Sequence, residues 1–124
     1  MEINKKDQTY TMKRWINGNT EVITRKYYTQ KDFEESEFVK ILLEARKMWN
    51  EEVLKYGEDY GSCILGDCIK VPFLRPRCRN ISYATIVASP SVQGSITKEV
   101  TVKPILEFLK NNGINCFYHE GHMD

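Results

Sequence analysis

The sequence predicts a small α+β domain: an antiparallel sheet packed on one long and one shorter helix, with the long helix at an oligomer interface. Three observations carry this. Asn17-Gly18 separates two β-rich stretches, apolar residues recur every three or four positions from Phe38 to Tyr56, and short apolar runs broken by Gly, Pro and Arg fill the second half. At 124 residues the chain can bury one core and not two. Residues 1–124 therefore read as a single domain, with residues 1–8 a flexible lead-in.

The hairpin comes first. Thr9 to Ile16 and Thr20 to Tyr28 are rich in Thr, Tyr, Val, Ile and Trp, and Asn-Gly supplies the positive φ angles of a tight turn. Neither face of the second strand is cleanly apolar, which suits a sheet partly covered by a partner or a ligand. The long helix is expected from Asp32 to about Tyr56. Thr29 is placed to cap it with Asp32 three residues on, Glu34, Glu35 and Glu37 follow where the dipole favours negative charge, and Gly57 ends it. Phe38, Leu42, Ala45, Trp49, Val53 and Tyr56 form one stripe, and Val39, Ile41, Leu43 and Met48 widen it beyond what one small core can cover. Self-association as a homodimer or higher homo-oligomer is the expected consequence.

Strands are then expected over Ile69 to Leu74 and Ile81 to Ala88, around the segment Arg75-Pro76-Arg77-Cys78-Arg79-Asn80. The loop Ser89 to Ser95 leads to a further strand, Ile96 to Val100. A shorter helix is expected from about Lys103 to Asn111, closed by Asn112-Gly113, and a last strand from Ile114 to Tyr118.

Composition excludes some functions. A hydrophobic fraction of 41% and a charged fraction of 28% belong to a folded chain. Eighteen Lys+Arg against 17 Asp+Glu give a net charge of +1, without the basic excess that gripping extended nucleic acid demands. A small ligand with two or three phosphates needs only a few local arginines. No apolar run reaches the roughly 20 residues of a membrane span, and Met1 to Asp7 lacks a signal-peptide core. No membrane partner and a cytoplasmic location are expected, with Cys63, Cys68, Cys78 and Cys116 as free thiols.

Arg75, Arg77 and Arg79, stiffened by Pro76, would point the same way in an extended chain and could present guanidiniums to phosphate or carboxylate oxygens. The alternative is a charged edge that blocks aggregation. Gln93-Gly94-Ser95 could offer backbone N–H groups and a hydroxyl, but it lacks the lysine and spacing of a P-loop. Cys116, His119 and His122 are spaced like zinc ligands without paired C-x-x-C knuckles, so no metal and no other cofactor is assigned. Cys116 or Cys78 with His119, or Glu58 with Asp59, could serve a hydrolase, but neither set has a recognisable context. Trp15, Tyr27, Tyr28, Phe73, Tyr83, Phe117 and Tyr118 could stack a base or fill the core.

Tyr56 to Gly66, Pro72 to Arg79, Gln93-Gly94-Ser95 and the ending Tyr118 to Asp124 resemble short phage and prophage reading frames of clostridial hosts. In size and element order the chain is similar to the phage anti-Thoeris sponge proteins, from about Trp15 to the end. That resemblance implies a non-catalytic counter-defence protein that sequesters a cyclic ADP-ribose-type immune signal, or another cyclic oligonucleotide, at subunit interfaces. The residues assigned to the ligand on their chemistry are Trp15, Arg25, Phe73, Arg75, Arg77, Arg79, Gln93, Ser95, Tyr118 and His122. The competing readings are an inhibitor that binds a host protein directly and a small phosphodiesterase or nuclease.

Overall fold

The computed structural model describes residues 2–92 and 94–123. Strands β1 (Glu2–Asn4), β2 (Thr9–Ile16) and β3 (Asn19–Lys26) form one antiparallel sheet, in that order. β1 occupies the stretch expected to lie loose ahead of the fold. Asn17 and Gly18 both take positive φ, 49° and 79°, the geometry for which Asn-Gly is suited in a two-residue hairpin. β3 is exposed at seven of its eight positions, as its mixed faces require.

The expected long helix is interrupted. α1 (Gln30–Phe33) is a single turn closed by the Thr29–Asp32 capping box, and α2 (Ser36–Tyr56) begins after Glu35 returns to extended backbone. In one continuous helix Phe33 and Phe38, five residues apart, would point about 140° away from each other. The break lets them meet edge to face at 5.4 Å, with Tyr28 on Phe38 and Phe73 on Phe33 at the same distance. Gly57 ends α2 in the left-handed region, as expected. Ala45, Trp49 and Val53 are buried, whereas Val39, Leu43 and Leu54 remain exposed.

β4 (Ile64–Leu65), β5 (Cys68–Phe73) and β6 (Ser82–Ala88) follow, and β5 and β6 match the expected pair. The larger correction falls on Ile96 to Val100. It is no strand but the start of α3 (Ser95–Asn111), which runs through the region expected to begin a helix only at Lys103. Thr97, Lys98, Thr101, Val102, Ile105 and Leu109 are its buried side, a helical spacing hidden by β-branched and polar residue types. Pro104 sits inside α3 on the exposed side, as does Val100, whose carbonyl loses its N–H partner to the proline. The last expected strand shifts as well: Ile114 and Cys116 are core residues, and β7 is Phe117–His119. β8 (His122–Met123) returns to pair with β4.

Among the described residues there are thus two three-stranded antiparallel sheets rather than one, β1-β2-β3 and β6-β5-β7, with a two-stranded β4-β8 pair. The main core lies where α2 and α3 meet the β6-β5-β7 sheet, around Trp49, Ile69, Val71, Ile105 and Leu109. A smaller cluster, Tyr10, Tyr27 and Leu74, ties the first sheet down. The link between them is backbone: the Tyr28 amide donates to the Pro72 carbonyl, and the Leu74 amide to the Tyr28 carbonyl, both at 2.9 Å. Tyr28 thereby takes up β5 just past the end of β7, where Pro72 has no N–H to give a third strand.

Trp49 is fully buried and its indole N–H donates to Thr101 Oγ1 at 3.0 Å, joining α2 to α3. Replacing it by Ala should cost about 3–5 kcal/mol of unfolding free energy, read from the denaturant midpoint.

Candidate functional site

Arg75, Arg77 and Arg79 do not form a row. Cys78 N–H donates back to the Arg75 carbonyl at 3.1 Å, with Arg77 at φ 63°. Pro76 before a left-handed residue makes this a type II turn, whose third position normally takes glycine. An arginine held there stores strain. The turn closes one side of a cleft of about 390 Å³, with Arg75 and Arg77 on its wall and Arg79 outside, beside Asn80 and Ser82. Lys5 from the β1–β2 turn and Lys31 from α1 complete a ring of four cations, over a floor of buried Tyr27 and Leu74. No carboxylate lines this cleft among the described residues. Asp32, beside the lining Lys31, is engaged elsewhere, its Oδ2 accepting from Thr29 N–H at 2.8 Å and Gln8 Nε2 at 2.7 Å. Four cations and no lining carboxylate give this cleft the charge that would suit a compact polyanion.

The other expected anion donors are already used. At the N-terminus of α3, Gly94 N–H donates to Asp59 Oδ1, Ser95 N–H to the Ser62 carbonyl and Ile96 N–H to the Tyr60 carbonyl. The loop after α2 caps this helix and closes it to a ligand. Gln93 lies outside the described residues, as does the side chain of His122. Phe73 is committed to Phe33 in the core, and Trp15 is 72% exposed near the hairpin tip.

Arg25 belongs to a second cleft, about 290 Å³, between the first sheet and the outer face of the second. Arg14 shares it, with Tyr10, Asn115 and the edge-to-face pair Tyr83–Phe117 at 5.2 Å.

Tyr118 lies in a cluster that residue types alone did not reveal. Its hydroxyl donates to Asp67 Oδ2 at 2.8 Å, while Lys98 Nζ meets Asp67 Oδ1 at 2.6 Å and the Ile64 carbonyl at 3.2 Å. Lys98 and Asp67 are 3% and 2% exposed. Ser95 and Lys98 have the Ser-x-x-Lys spacing of some acyl-transfer enzymes, yet this lysine is bound to a carboxylate and a carbonyl as a donor and is not free to act as base. The signal that could have found the cluster is the helical period that puts Lys98 beside Thr97, Thr101 and Val102.

Cys116 is buried, and burial pushes its thiol up from 9.0 to about 11, far from the thiolate a nucleophile needs. Among the described residues no three His, Cys, Asp or Glu side chains converge as metal ligands, and no helix is long and apolar enough to cross a membrane. Comparison with family models, curated proteins and solved structures returns no match.

Removing one partner of a buried ion pair strands the other charge. Lys98→Met should therefore cost about 3–5 kcal/mol, seen as a large fall in melting temperature. The fold also holds two protons: burial, then the bond to Asp67, raises the Tyr118 hydroxyl, and burial raises Cys116. Both groups ionise at lower pH once unfolded, so their contribution is complete below about pH 9 and is lost as pH rises. Melting temperature should fall between pH 9 and 11, and Cys116→Ala should flatten that part of the profile.

Proposed function

We propose that this protein is a non-catalytic receptor that sequesters a small phosphorylated ligand, of the cyclic nucleotide class its sequence resemblance indicates, in the cleft lined by Lys5, Lys31, Arg75 and Arg77. The observation that carries the reading is this ring of four cations with no carboxylate on its described wall. Two guanidiniums on one turn can each grip a phosphate bidentately, and two ammoniums opposite add charge. The volume, about 390 Å³, falls in the range of small-molecule sites. Sequestration rather than turnover is supported by the raised Cys116 thiol and the ion-paired Lys98.

Titration calorimetry with pyrophosphate and with cyclic ADP-ribose tests the proposal. Binding should weaken with added salt, and Arg75→Ala/Arg77→Ala should lower affinity at least tenfold, since each charge-assisted contact contributes about 1.5–3 kcal/mol. Nucleotide released by heating should be chemically unchanged. Absence of binding to either probe, or recovery of altered nucleotide, would falsify the reading. Arg77→Gly separates fold from site: relief of the left-handed residue should stabilise the fold by about 1 kcal/mol while affinity falls.

A further inference from the structure

β3 is an edge strand with eight residues, and among the described residues no strand pairs with its outer side. Which of its backbone groups face outward follows from one bond. Tyr27 N–H donates to the carbonyl of Gln8, the residue directly opposite when the β2–β3 register is continued by one pair. Hydrogen-bonded and non-bonded pairs alternate along an antiparallel ladder. Arg25, Ile23 and Glu21 therefore bond inward to β2, and Thr20, Val22, Thr24 and Lys26 direct their N–H and C=O groups outward. The Lys26 carbonyl supports this parity, because it accepts from Asn115 Nδ2 at 3.2 Å on the outer side.

An edge with free groups at Thr20, Val22 and Thr24 is a template for another strand. We propose that it pairs antiparallel with β3 of a second copy of this chain, Val22 opposite Thr24 of the second copy. In two-fold pairing, outward-facing residues must oppose outward-facing residues, so only alternate registers are allowed. The two that overlap most place Val22 opposite either Val22 or Thr24 of the second copy. Charge selects the second. It sets Glu21 opposite Arg25 of the second copy, twice by symmetry, with Ile23 opposite its own counterpart at the centre, whereas the other register faces Glu21 with Ile23. The Val22–Thr24 pairs use the free backbone groups of those two residues and leave the Lys26 carbonyl, opposite Thr20 of the second copy, to Asn115. The union makes one six-stranded sheet and joins the exposed Val22 of each copy across the outer face. It uses neither α2 nor a residue of the basic cleft, so failure to pair and failure to bind a phosphorylated ligand are distinguishable.

Sedimentation over a range of concentrations should give twice the 14.5 kDa chain mass. Glu21→Arg and Arg25→Glu should each weaken self-association at least tenfold, and the double exchange should restore it. Val22→Pro, which removes an outward donor without touching the β2 ladder, should also dissociate the pair, with circular dichroism checking the fold. Register is read by disulfide trapping after Cys78→Ser removes an exposed native thiol: Ile23→Cys should cross-link across the two-fold, and Val22→Cys should not. A monomer at all concentrations, a dimer indifferent to these substitutions, or cross-linking through Val22→Cys alone would overturn the proposal.

Discussion

The buried pair of Lys98 and Asp67 is the contact on which most of the larger half depends. Lys98 comes from the second turn of α3, Asp67 from the bend before β5, the Ile64 carbonyl from β4, and the Tyr118 hydroxyl from β7. Lys98 thus ties a helix directly to two parts of the chain and, through Asp67, to a third. Two charges removed from water cost several kcal/mol each, and the geometry must return it. It does so because both Asp67 oxygens and the lysine have named partners and, among the described residues, no buried side-chain nitrogen or oxygen is left without one. Trp49 continues the network, its ring edge to face with Tyr118 and its N–H on Thr101 one turn beyond Thr97. Position is therefore set by directional contacts in the same layer where Ile105 and Leu109 supply apolar burial.

That arrangement explains what the sequence disclosed and what it concealed. Local chemistry was legible: Asn17-Gly18 turns the hairpin, Thr29 and Asp32 cap a helix, and Gly57 ends one. Each of these signals acts within four residues. The start of α3 does not read as helix because its first turns bury Thr97, Lys98 and Thr101, residue types that usually face water, and because Ile, Thr and Val favour strands when nothing else decides. Burying them becomes favourable only once Asp67 and Trp49 are in place, and those partners lie 31 and 52 residues away. The break before α2 was hidden for the same reason, since it serves rings on β5 and after β3. At the site, the arginines of the 75–79 segment could be named but not arranged. An extended segment would put all three on one face, whereas the turn places Arg77 in one cavity, Arg79 in another and Arg75 on the edge of both.

Closing the N-terminus of α3 has a consequence for where an anion can bind. A helix start with free amides attracts phosphate, but here Asp59 brings a carboxylate and the loop brings carbonyls to those amides. Gly94 is essential to this closeness, since a Cβ there would overlap the Tyr60 carbonyl. The positive potential open to a ligand is left to side chains around the smaller cluster of Tyr10, Tyr27 and Leu74. There Arg77 holds a backbone angle that a glycine would take without strain. Arg77 thus combines backbone strain with a charge that, among the described residues, has no ion-pair partner.

The two halves of the molecule also differ in how firmly they are held. The half built on α2, α3 and β5 buries a dozen residues in one cluster, while the first sheet rests on three. Between them run the Tyr28 backbone bonds, the Asn115 bond to Lys26 and the contact of Gln8 with the Thr29–Asp32 cap. Local opening is easiest where few apolar contacts are lost, which here means the first sheet. Both clefts have one wall on that sheet or its turns, so small shifts of the sheet change their width. Anything that stiffens the sheet would also fix the walls: Lys5 and Gln8 in the basic cleft, Arg14 and Arg25 in the other. The cap residue Asp32 is central to this coupling, because the same oxygen that starts α1 accepts the Gln8 amide and so holds the β1–β2 turn, and with it Lys5, over the arginine turn.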